Sequence, residues 1–221
     1  MSVVPELHLK RLKTDLSQKL VSPVTLAVFT QELECDYCRE ARELAQDLAS
    51  LTDKIKVEVY DLVKDKQKAS ELGVNKVPAT VVVGGKGGNV TFYGVATGYE
   101  FSTLLKDLVQ ISRAETELSQ ETRKELSAFK RPVHIKVFAT PTCPYCPGAV
   151  SLAHQFAMEN PNIRADMIEI NEFPQLAIKY NVMGVPKTVI NETIEMVGLQ
   201  PEEELLRLVA VASRPPSPAY A

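Results

Sequence analysis

The sequence contains no tryptophan and no excess of basic residues. Its 25 lysines and arginines stand against 28 acidic residues, a formal net charge of −3, so the basic surface of a nucleic-acid-binding protein is absent. No window approaches the ~18 apolar residues that span a bilayer, and residues 1–10 carry charges where a signal peptide needs an apolar stretch. We therefore predict a soluble, cytoplasmic protein that binds neither nucleic acid nor membrane.

Cysteine is equally sparse, and its placement is informative. The four cysteines form two C-x-x-C motifs, one from Cys35 to Cys38 and one from Cys143 to Cys146. No cysteine remains for a cross-link elsewhere in the chain. In a reducing compartment this usage favours catalytic dithiols over structural disulfides.

A Val-Pro dipeptide follows each motif at the same distance. Val77-Pro78 lies about forty residues after the first motif, and Val185-Pro186 lies as far after the second. Each of these landmarks in the second half stands 108 positions after its counterpart in the first. Because the whole arrangement repeats, it is far more specific than a single C-x-x-C. It predicts a protein with two dithiol–disulfide sites in tandem.

The length of 221 residues gives material for two cores of roughly 100 residues each. We predict a first domain at residues 1–113 and a second at 114–212. Residues 213–221 include three prolines and are predicted to form a disordered tail. No Pro- or Gly-rich spacer separates the halves, which favours two domains packed together.

Hydrophobic periodicity predicts an α/β fold in which both halves repeat one order of elements. The predicted helices are 5–20, 37–49, 64–72, 101–111, 116–129, the segment from the second motif through 156, and 202–212; the predicted strands are 24–29, 55–60, 79–83, 90–93, 133–138, 165–170, 188–190 and 194–197. Each motif thus follows a buried strand and opens a helix. The glycine run at 84–88 has no following helix, which indicates a hairpin turn rather than a phosphate-binding loop.

A C-x-x-C at the start of a helix can supply a reactive thiolate. Free cysteine has a pKa of about 8.5 and is mostly protonated at neutral pH, but the unpaired N–H groups and the dipole of a helix N-terminus stabilise the anion. Cys35 and Cys143 are therefore the predicted nucleophiles, at the exposed helix start. Cys38 and Cys146, one turn further on, are the predicted resolving thiols that break a mixed disulfide.

The Val-Pro dipeptides predict where a substrate binds. An X-Pro bond can be cis at small cost, and a cis bond turns the backbone of the preceding residue outward. Val77-Pro78 and Val185-Pro186 are therefore predicted to offer backbone groups to an extended polypeptide beside the cysteines. Tyr37 and Tyr145, inside the motifs, are predicted substrate contacts, and a packing role is an equally open interpretation.

Other interpretations of these residues have less support. A four-thiolate zinc site would need pairs much closer than the 104 residues that separate Cys38 from Cys143. Permanent structural disulfides without turnover remain an alternative. His154 lies too far along its helix to act as a base for Cys143, so a packing or surface role is expected. Lys187 is expected to face outward from its strand.

The motifs resemble the thioredoxin-fold superfamily, and the segment from Cys143 to Cys146, with Pro and Tyr between the cysteines, matches the glutaredoxin motif. Two such units in one chain resemble the protein disulfide oxidoreductases of archaea and thermophilic bacteria, over residues 5–212. The resemblance implies two tandem thioredoxin-like domains, each a mixed four-stranded sheet flanked by helices. It also implies exchange with protein thiols and disulfides, no bound cofactor, and re-reduction by a thioredoxin-reductase-like flavoenzyme.

Two departures limit what this resemblance carries over. The buried acid that thioredoxins have six residues before the first cysteine is replaced by Phe29 and Val137, so a thioredoxin-like proton relay is not expected. Gly198 is followed by Leu199 and Gln200 rather than by the glycine and acid that bind glutathione in glutaredoxins. Glutathione is therefore not expected to be the specific substrate.

The leading functional prediction is an enzyme that reduces, forms or isomerises disulfides in many proteins. One alternative is a dedicated electron donor for a peroxiredoxin, as in the N-terminal region of bacterial alkyl hydroperoxide reductase flavoproteins. Another is a non-catalytic binding or chaperone module, although four intact motif cysteines disfavour it.

Overall fold

The computed structural model describes residues 6–84 and 90–214, with side chains from residue 11 onward. The helices are α1 Glu6–Lys19, α2 Cys38–Ala49, α3 Lys66–Leu72, α4 Glu100–Arg113, α5 Gln120–Ser127, α6 Cys146–Glu159, α7 Pro174–Lys179 and α8 Glu202–Ala212. The strands are β1 Val24–Thr30, β2 Ile55–Asp61, β3 Ala79–Val83, β4 Val90–Tyr93, β5 Val133–Ala139, β6 Ile163–Glu169, β7 Lys187–Ile190 and β8 Ile194–Val197. The predicted glycine turn and tail fall almost entirely outside the described residues.

The strands join into one sheet of eight, in the order β2-β1-β3-β4-β6-β5-β7-β8. β1 pairs in parallel with β2 and antiparallel with β3, and β5 likewise pairs in parallel with β6 and antiparallel with β7, which gives two mixed four-stranded units. The predicted α/β fold of two tandem thioredoxin-like units is confirmed. The joint between the halves was not predicted: β4 and β6 pair in parallel from Val90 opposite Ala165 to Tyr93 opposite Ile168.

The direction of the strands places both cysteine motifs on the same edge of the sheet. β1 and β5 run the same way, because two antiparallel and two parallel pairings separate them in the strand order. Four strand spacings of about 4.8 Å put their axes about 19 Å apart. Both strands end at this edge, and each leads into a C-x-x-C.

Both faces of the sheet are covered, because its central strands are apolar on both sides. Along β1, Leu26 and Val28 belong to the core under α1, α2, α4, α5, α6 and α8, whereas Ala27 and Phe29 belong to the core under α3 and α7. This continuous apolar run is typical of a strand buried on both faces. The six helices on the first face include α4, which lies against α6 and joins the two halves.

Two local details differ from the sequence-based expectations. The helix predicted at 116–129 begins only at Gln120, because the Ser119 side chain caps it by accepting a hydrogen bond from the N–H of Thr122 at 3.1 Å. The short helix α7 in the second half was not identified from the sequence. Within the described ranges, no helix has the length and apolar character needed to cross a membrane.

Candidate active site

The first cysteine pair lies between β1 and α2. Because α2 begins at Cys38, Cys35 lies in the turn that precedes the helix. The two residues form a disulfide with their Cα atoms 5.5 Å apart. Cys35 is half-buried, whereas Cys38 is only 6 % exposed. A partner molecule therefore reaches Cys35 more easily than Cys38.

The second pair repeats this geometry between β5 and α6. Cys143 and Cys146 form a disulfide with the same Cα separation of 5.5 Å, and α6 begins at Cys146. The N–H of Cys146 donates a hydrogen bond to Sγ of Cys143 at 3.1 Å. Since this N–H belongs to the open end of a helix, it stabilises negative charge on the Cys143 sulfur when the disulfide is opened.

The exposure of Cys143 is lower than its predicted place at an exposed helix start implies. Cys143 is 7 % exposed and Cys146 is completely buried. The chain of the first half approaches the loop before Cys143, where the N–H of Tyr99 donates to the carbonyl of Pro141 at 3.0 Å. Cys143 is still the more accessible sulfur of the two.

Both Val-Pro dipeptides lie at the end of the sheet from which the chain leads into the cysteine motifs. Both the Val77–Pro78 and the Val185–Pro186 peptide bonds are cis. Each dipeptide immediately precedes the strand that pairs with β1 or β5, at the end where those strands lead to the cysteines. Val77 and Val185 are half-buried, whereas the two prolines are buried.

The motif tyrosines are on the surface. Tyr37 and Tyr145 each precede the first residue of their helix, and they are 45 % and 66 % exposed. This exposure favours the predicted contact with a substrate over a packing role. Their role in binding remains a proposal.

Two residues that the sequence placed at or near the surface are buried. The prediction that Lys187 faces outward is wrong: it is 4 % exposed, and its Nζ donates to the carbonyl of Tyr180 at 2.6 Å and pairs with Glu195 at 2.8 Å. His154 is completely buried, which agrees with the packing half of its expected role, but its Nδ1 lies 2.6 Å from Oδ2 of Asp107 in the first half.

Glu100 is a site residue that the sequence analysis did not identify. It is the first residue of α4, follows Tyr99 directly and is 2 % exposed. Burial raises the pKa of Glu100 to about 7, although Thr103 and His154 oppose this rise. The only sequence signal was a run of polar residues at helical spacing along α4.

The position of Glu100 relative to the second pair follows from the contacts between α4 and α6. Asp107 contacts His154, and further towards both helix starts Thr103 lines a cleft with Gly148 and Ser151. The two helices therefore run in the same direction. Glu100 therefore lies at the level of the first turn of α6, which begins at Cys146.

A second glutamate occupies a comparable interdomain position near the first pair. Glu172, which follows β6, accepts a hydrogen bond from the N–H of Val95 at 2.8 Å. Burial raises the pKa of Glu172 to about 7, and the negative charges of Glu169 and Glu40 add to this rise. Glu40 is in the first turn of α2, two residues after Cys38. Each cysteine helix thus begins near a glutamate of the opposite half.

The surroundings of the two pairs differ in charge. A cleft of about 510 Å³ beside Cys35 and Cys38 is lined by Arg39, Arg42 and Lys64 together with acidic residues. In the second half, Tyr145 between the two cysteines and Met183, two residues before Val185, are exposed apolar side chains. All four cysteines are in disulfides, and the described part of the chain contains no cluster of three His, Cys, Asp or Glu residues that could hold a metal ion.

Comparison with known proteins places the whole arrangement in a family. A family model described as a thioredoxin domain matches the chain twice, at residues 24–106 and 133–210. These two matched segments contain one C-x-x-C and one Val-Pro each.

Relatives are found among both solved structures and curated sequences. The protein disulfide oxidoreductase of Aeropyrum pernix is 34 % identical, with a TM-score of 0.88 over 95 % of this chain and 93 % of that one. An alkyl hydroperoxide reductase chain of Enterococcus faecalis is 26 % identical, with a TM-score of 0.84 over 93 % of this chain and 98 % of that one. An NADH dehydrogenase of Bacillus subtilis is 28 % identical over 78 % of this chain, which spans 32 % of that relative's length. The chain therefore belongs to the thioredoxin-domain family, as a tandem member with two C-x-x-C disulfides.

Proposed function

We propose that the protein catalyses thiol–disulfide exchange on protein substrates through both cysteine pairs. The observation that carries this proposal is the repeated geometry of the pairs. In each half a C-x-x-C disulfide lies at the start of a helix, and its first cysteine is the more accessible one. A cis Val-Pro precedes the neighbouring strand at the same end of the sheet. The similarity to the Aeropyrum pernix protein disulfide oxidoreductase supports the same function.

The roles of the cysteines follow from their accessibility. When the pair is reduced, Cys143 attacks a substrate disulfide and forms a mixed disulfide, which the helix N–H groups favour by stabilising its thiolate. Cys146 then attacks Cys143 and releases the substrate thiol. We propose that Glu100, at the level of the first turn of α6, accepts the proton of Cys146. Its pKa, which burial raises to about 7, suits a general base that works near neutral pH. Cys35 and Cys38 play the corresponding roles in the first pair.

An extended polypeptide is the substrate that fits the two sites. Val77 and Val185 precede their strands and lie outside the pairing of the sheet, which leaves their backbone groups for an added strand. Tyr145 is 66 % exposed and Met183 is 88 % exposed, so apolar side chains of an unfolded segment have partners there. We propose Val77, Pro78, Val185, Pro186, Tyr37 and Tyr145 as the substrate-binding residues.

The proposed reaction needs a source of electrons but no bound cofactor in this chain. We propose that a thioredoxin-reductase-like flavoenzyme reduces the disulfides, and that the reaction takes place in the cytoplasm. The use of all four cysteines in the two motifs supports an intracellular, catalytic role.

Insulin reduction by dithiothreitol tests the proposed activity. The wild-type chain should accelerate precipitation of the reduced insulin chains, and a variant with all four cysteines changed to serine should not. Two further variants, Cys35→Ser/Cys38→Ser and Cys143→Ser/Cys146→Ser, report the share of each pair. A wild-type rate equal to that of the four-serine variant would exclude the activity.

A second candidate function is electron donation to a peroxiredoxin. The similarity to the alkyl hydroperoxide reductase chain of Enterococcus faecalis favours it, because this protein covers 98 % of that solved chain. We would test it by following NADH oxidation in a mixture of a flavoprotein reductase, this chain, a purified peroxiredoxin and peroxide. If the rate of NADH oxidation depends on this chain and the chain does not accelerate insulin reduction, electron donation to a peroxiredoxin is the primary function.

A further inference from the structure

A stripe of buried polar side chains runs along α4, on the side that faces α6. Glu100, Thr103, Asp107 and Gln110 recur at helical spacing, and they are 2 %, 2 %, 0 % and 7 % exposed. A helix that packs between two halves of a protein normally presents apolar residues at such positions. The stripe therefore requires an explanation beyond packing.

His154 of α6 faces this stripe. Its ring is completely buried, its Nδ1 lies 2.6 Å from Oδ2 of Asp107, and Phe92 packs edge-on against it with ring centroids 5.0 Å apart. We call Glu100, Thr103, Asp107, Gln110 and His154 the polar seam.

Much of the hydrogen-bonding capacity of the polar seam is not used within the described residues. Seven buried atoms make no hydrogen bond of ordinary geometry there, although the Thr103 hydroxyl is near enough to the Glu100 carboxylate to lower its pKa. The seven are both carboxylate oxygens of Glu100, Oγ1 of Thr103, Oδ1 of Asp107, Nε2 of His154 and both amide atoms of Gln110. An unpaired buried polar group costs about 1–3 kcal/mol. Protons or water molecules shared among these groups would satisfy them.

We propose that the Asp107–His154 pair is a positioning pair for the proton of Glu100, and through it for the opening and closing of the second disulfide. The pair has no net charge whether its proton lies on the imidazole or on the carboxyl group. When Glu100 loses its proton, the pair can hold its own proton on the imidazole, which is then positively charged. When the proton of Glu100 returns, the pair can hold its proton on the carboxyl group. This inference deepens the proposed function and rests on it.

The charges around the polar seam leave His154 and Asp107 as the groups that act on Glu100. Within the polar seam, His154 lowers and Asp107 raises the pKa of Glu100. Lys106 points outward, where its Nζ pairs with Glu117 at 2.6 Å, and acts on Asp107 rather than on Glu100. β1 and β3, which underlie α4, contribute the apolar side chains of Leu26, Val28 and Val82 to this core.

The polar seam would act in the resolving step. The thiol of Cys146 gives its proton to the Glu100 carboxylate, and its thiolate attacks Sγ of Cys143 in the mixed disulfide. The bond from Cys143 to the substrate sulfur breaks, and the Cys143–Cys146 disulfide forms. The substrate leaves as a thiolate that takes up one proton, so two electrons pass from the cysteine pair to the substrate.

Carbon-13 NMR of labelled glutamate tests this coupling in the full-length, oxidised protein. The Glu100 carboxyl signal is identified by its loss in Glu100→Gln. His154→Asn keeps a donor for Asp107 but cannot carry a positive charge, so the midpoint of the Glu100 titration should rise by about half a pH unit or more. Phe92→Leu is the matched control: it loosens the packing on His154 without changing a charge and should leave the midpoint in place.

A second measurement covers the case in which His154→Asn does not fold. Coupling between two sites is reciprocal, so the ring signals of His154 in the wild type should change over the pH range in which Glu100 titrates, and this change should disappear in Glu100→Gln. Identical His154 signals in the wild type and Glu100→Gln would overturn the proposal. So would a Phe92→Leu shift as large as that of His154→Asn.

The pH dependence of exchange links the polar seam to the reaction. In the Cys35→Ser/Cys38→Ser background, the rising limb of the rate should move to higher pH in His154→Asn, together with the Glu100 titration. If the midpoint of the Glu100 titration shifts in His154→Asn while the rising limb of the rate stays at the same pH, the catalytic part of the proposal is overturned. Because the NMR titrations require no turnover, they can succeed or fail independently of insulin reduction.

Discussion

At the scale of single residues, the two cysteines of each pair are distinguished by their surroundings rather than by their chemistry. Cys146 is completely buried in the first turn of α6, while Cys143 retains 7 % exposure and receives the Cys146 N–H. The same order of exposure holds for Cys35 and Cys38. We therefore expect the accessible thiol to attack the substrate and the buried thiol to attack the mixed disulfide that results.

This difference predicts the outcome of two serine substitutions. In a reduced Cys35→Ser/Cys38→Ser background, Cys146→Ser should accumulate a mixed disulfide with a protein substrate, because the resolving thiol is missing. Cys143→Ser should accumulate none. Non-reducing gels and mass spectrometry would measure the trapped species. Trapping by Cys143→Ser alone would reverse the assignment of the two roles.

Glu100 predicts a dependence of stability on pH. Its pKa is raised from the ordinary 4.5 to about 7 by burial, so the native state holds this proton more tightly than the unfolded state does. The associated stability is fully present below pH 4.5 and is lost as the pH rises through about 7. Glu100→Gln should remove this dependence, so its stability relative to the wild type should improve by about 2 kcal/mol between pH 5 and pH 8.

Urea unfolding of the oxidised proteins at several pH values would measure this effect. Glu117→Gln is a suitable control, because Glu117 is a largely exposed partner of Lys106. A wild type and a Glu100→Gln variant whose stabilities differ by the same amount at every pH would contradict the prediction.

Part of the site could be predicted from the sequence, because it is local or repeated. The cysteine motifs and the Val-Pro dipeptides repeat with a fixed offset, which located them in both halves. Glu100 could not be found in this way, because its burial depends on contacts with the opposite half. Glu204, which stands six residues after Gly198 as Glu100 does after Gly94, is instead partly exposed and pairs with Arg207. Lys187 was misjudged because strand alternation does not reveal that the carbonyl of Tyr180 lies within reach of its ammonium group.

At the scale of elements, the ends of helices and strands followed the sequence closely where a local signal marks them. The strands at 79–83 and 90–93 and the helix at 202–212 have the predicted bounds. The predicted start of α5 at residue 116 was wrong. The helix begins at Gln120 because the Ser119 side chain caps its first turn, although the apolar pattern starts earlier. The loop from β4 to α4 gave no sequence signal for its contact with the loop before Cys143, where the N–H of Tyr99 donates to the carbonyl of Pro141.

The contacts of this loop predict that substitution of Gly98 is more damaging than substitution of Gly198. Gly98 has φ +59°, and an added Cβ would overlap the carbonyl oxygen of Pro141. Gly98→Ala should therefore displace the start of α4 and slow exchange at the second pair, at a cost in stability of about 1–3 kcal/mol. The rate of the first pair should change less.

Gly198 provides the matched control for this prediction. It also has a positive φ, of +82°, but the nearest atom to an added Cβ is Nε2 of Gln200 at 3.9 Å. Gly198→Ala should share the backbone strain without the collision. Equal loss of second-pair activity in both variants, measured with the first pair changed to serine, would show that the contact with Pro141 is unimportant.

At the scale of the whole molecule, the two repeats form one structure. Self-similarity of the sequence predicted two four-stranded units, but the pairing of β4 with β6 depends on contacts between distant segments that leave no periodic pattern. Arg164 reinforces this joint: its guanidinium bonds the Tyr93 hydroxyl at 2.8 Å and the carbonyl of Gly73, and pairs with buried Asp166 at 2.9 Å. The domain boundary near Arg113 stays a prediction.

The joint predicts that both halves unfold in a single transition. Arg164→Leu should lower the free energy of unfolding by about 1–3 kcal/mol, because it leaves the buried Asp166 with fewer partners. Arg207→Leu, which removes an exposed pair with Glu204, should leave the urea midpoint unchanged. Far-UV circular dichroism and tyrosine fluorescence would follow unfolding, and two separate transitions in the wild type would contradict a single cooperative unit.

The common edge on which both C-x-x-C motifs lie sets a fixed span for any molecule that meets them. The strands that lead to the two pairs lie about 19 Å apart. Because sulfur atoms must come within bonding distance to exchange, we expect no direct exchange between the two pairs of one molecule while the sheet is intact. An extended chain covers the same span in about six residues. A single unfolded polypeptide whose two cysteines are at least this far apart is therefore expected to contact both disulfides at the same time.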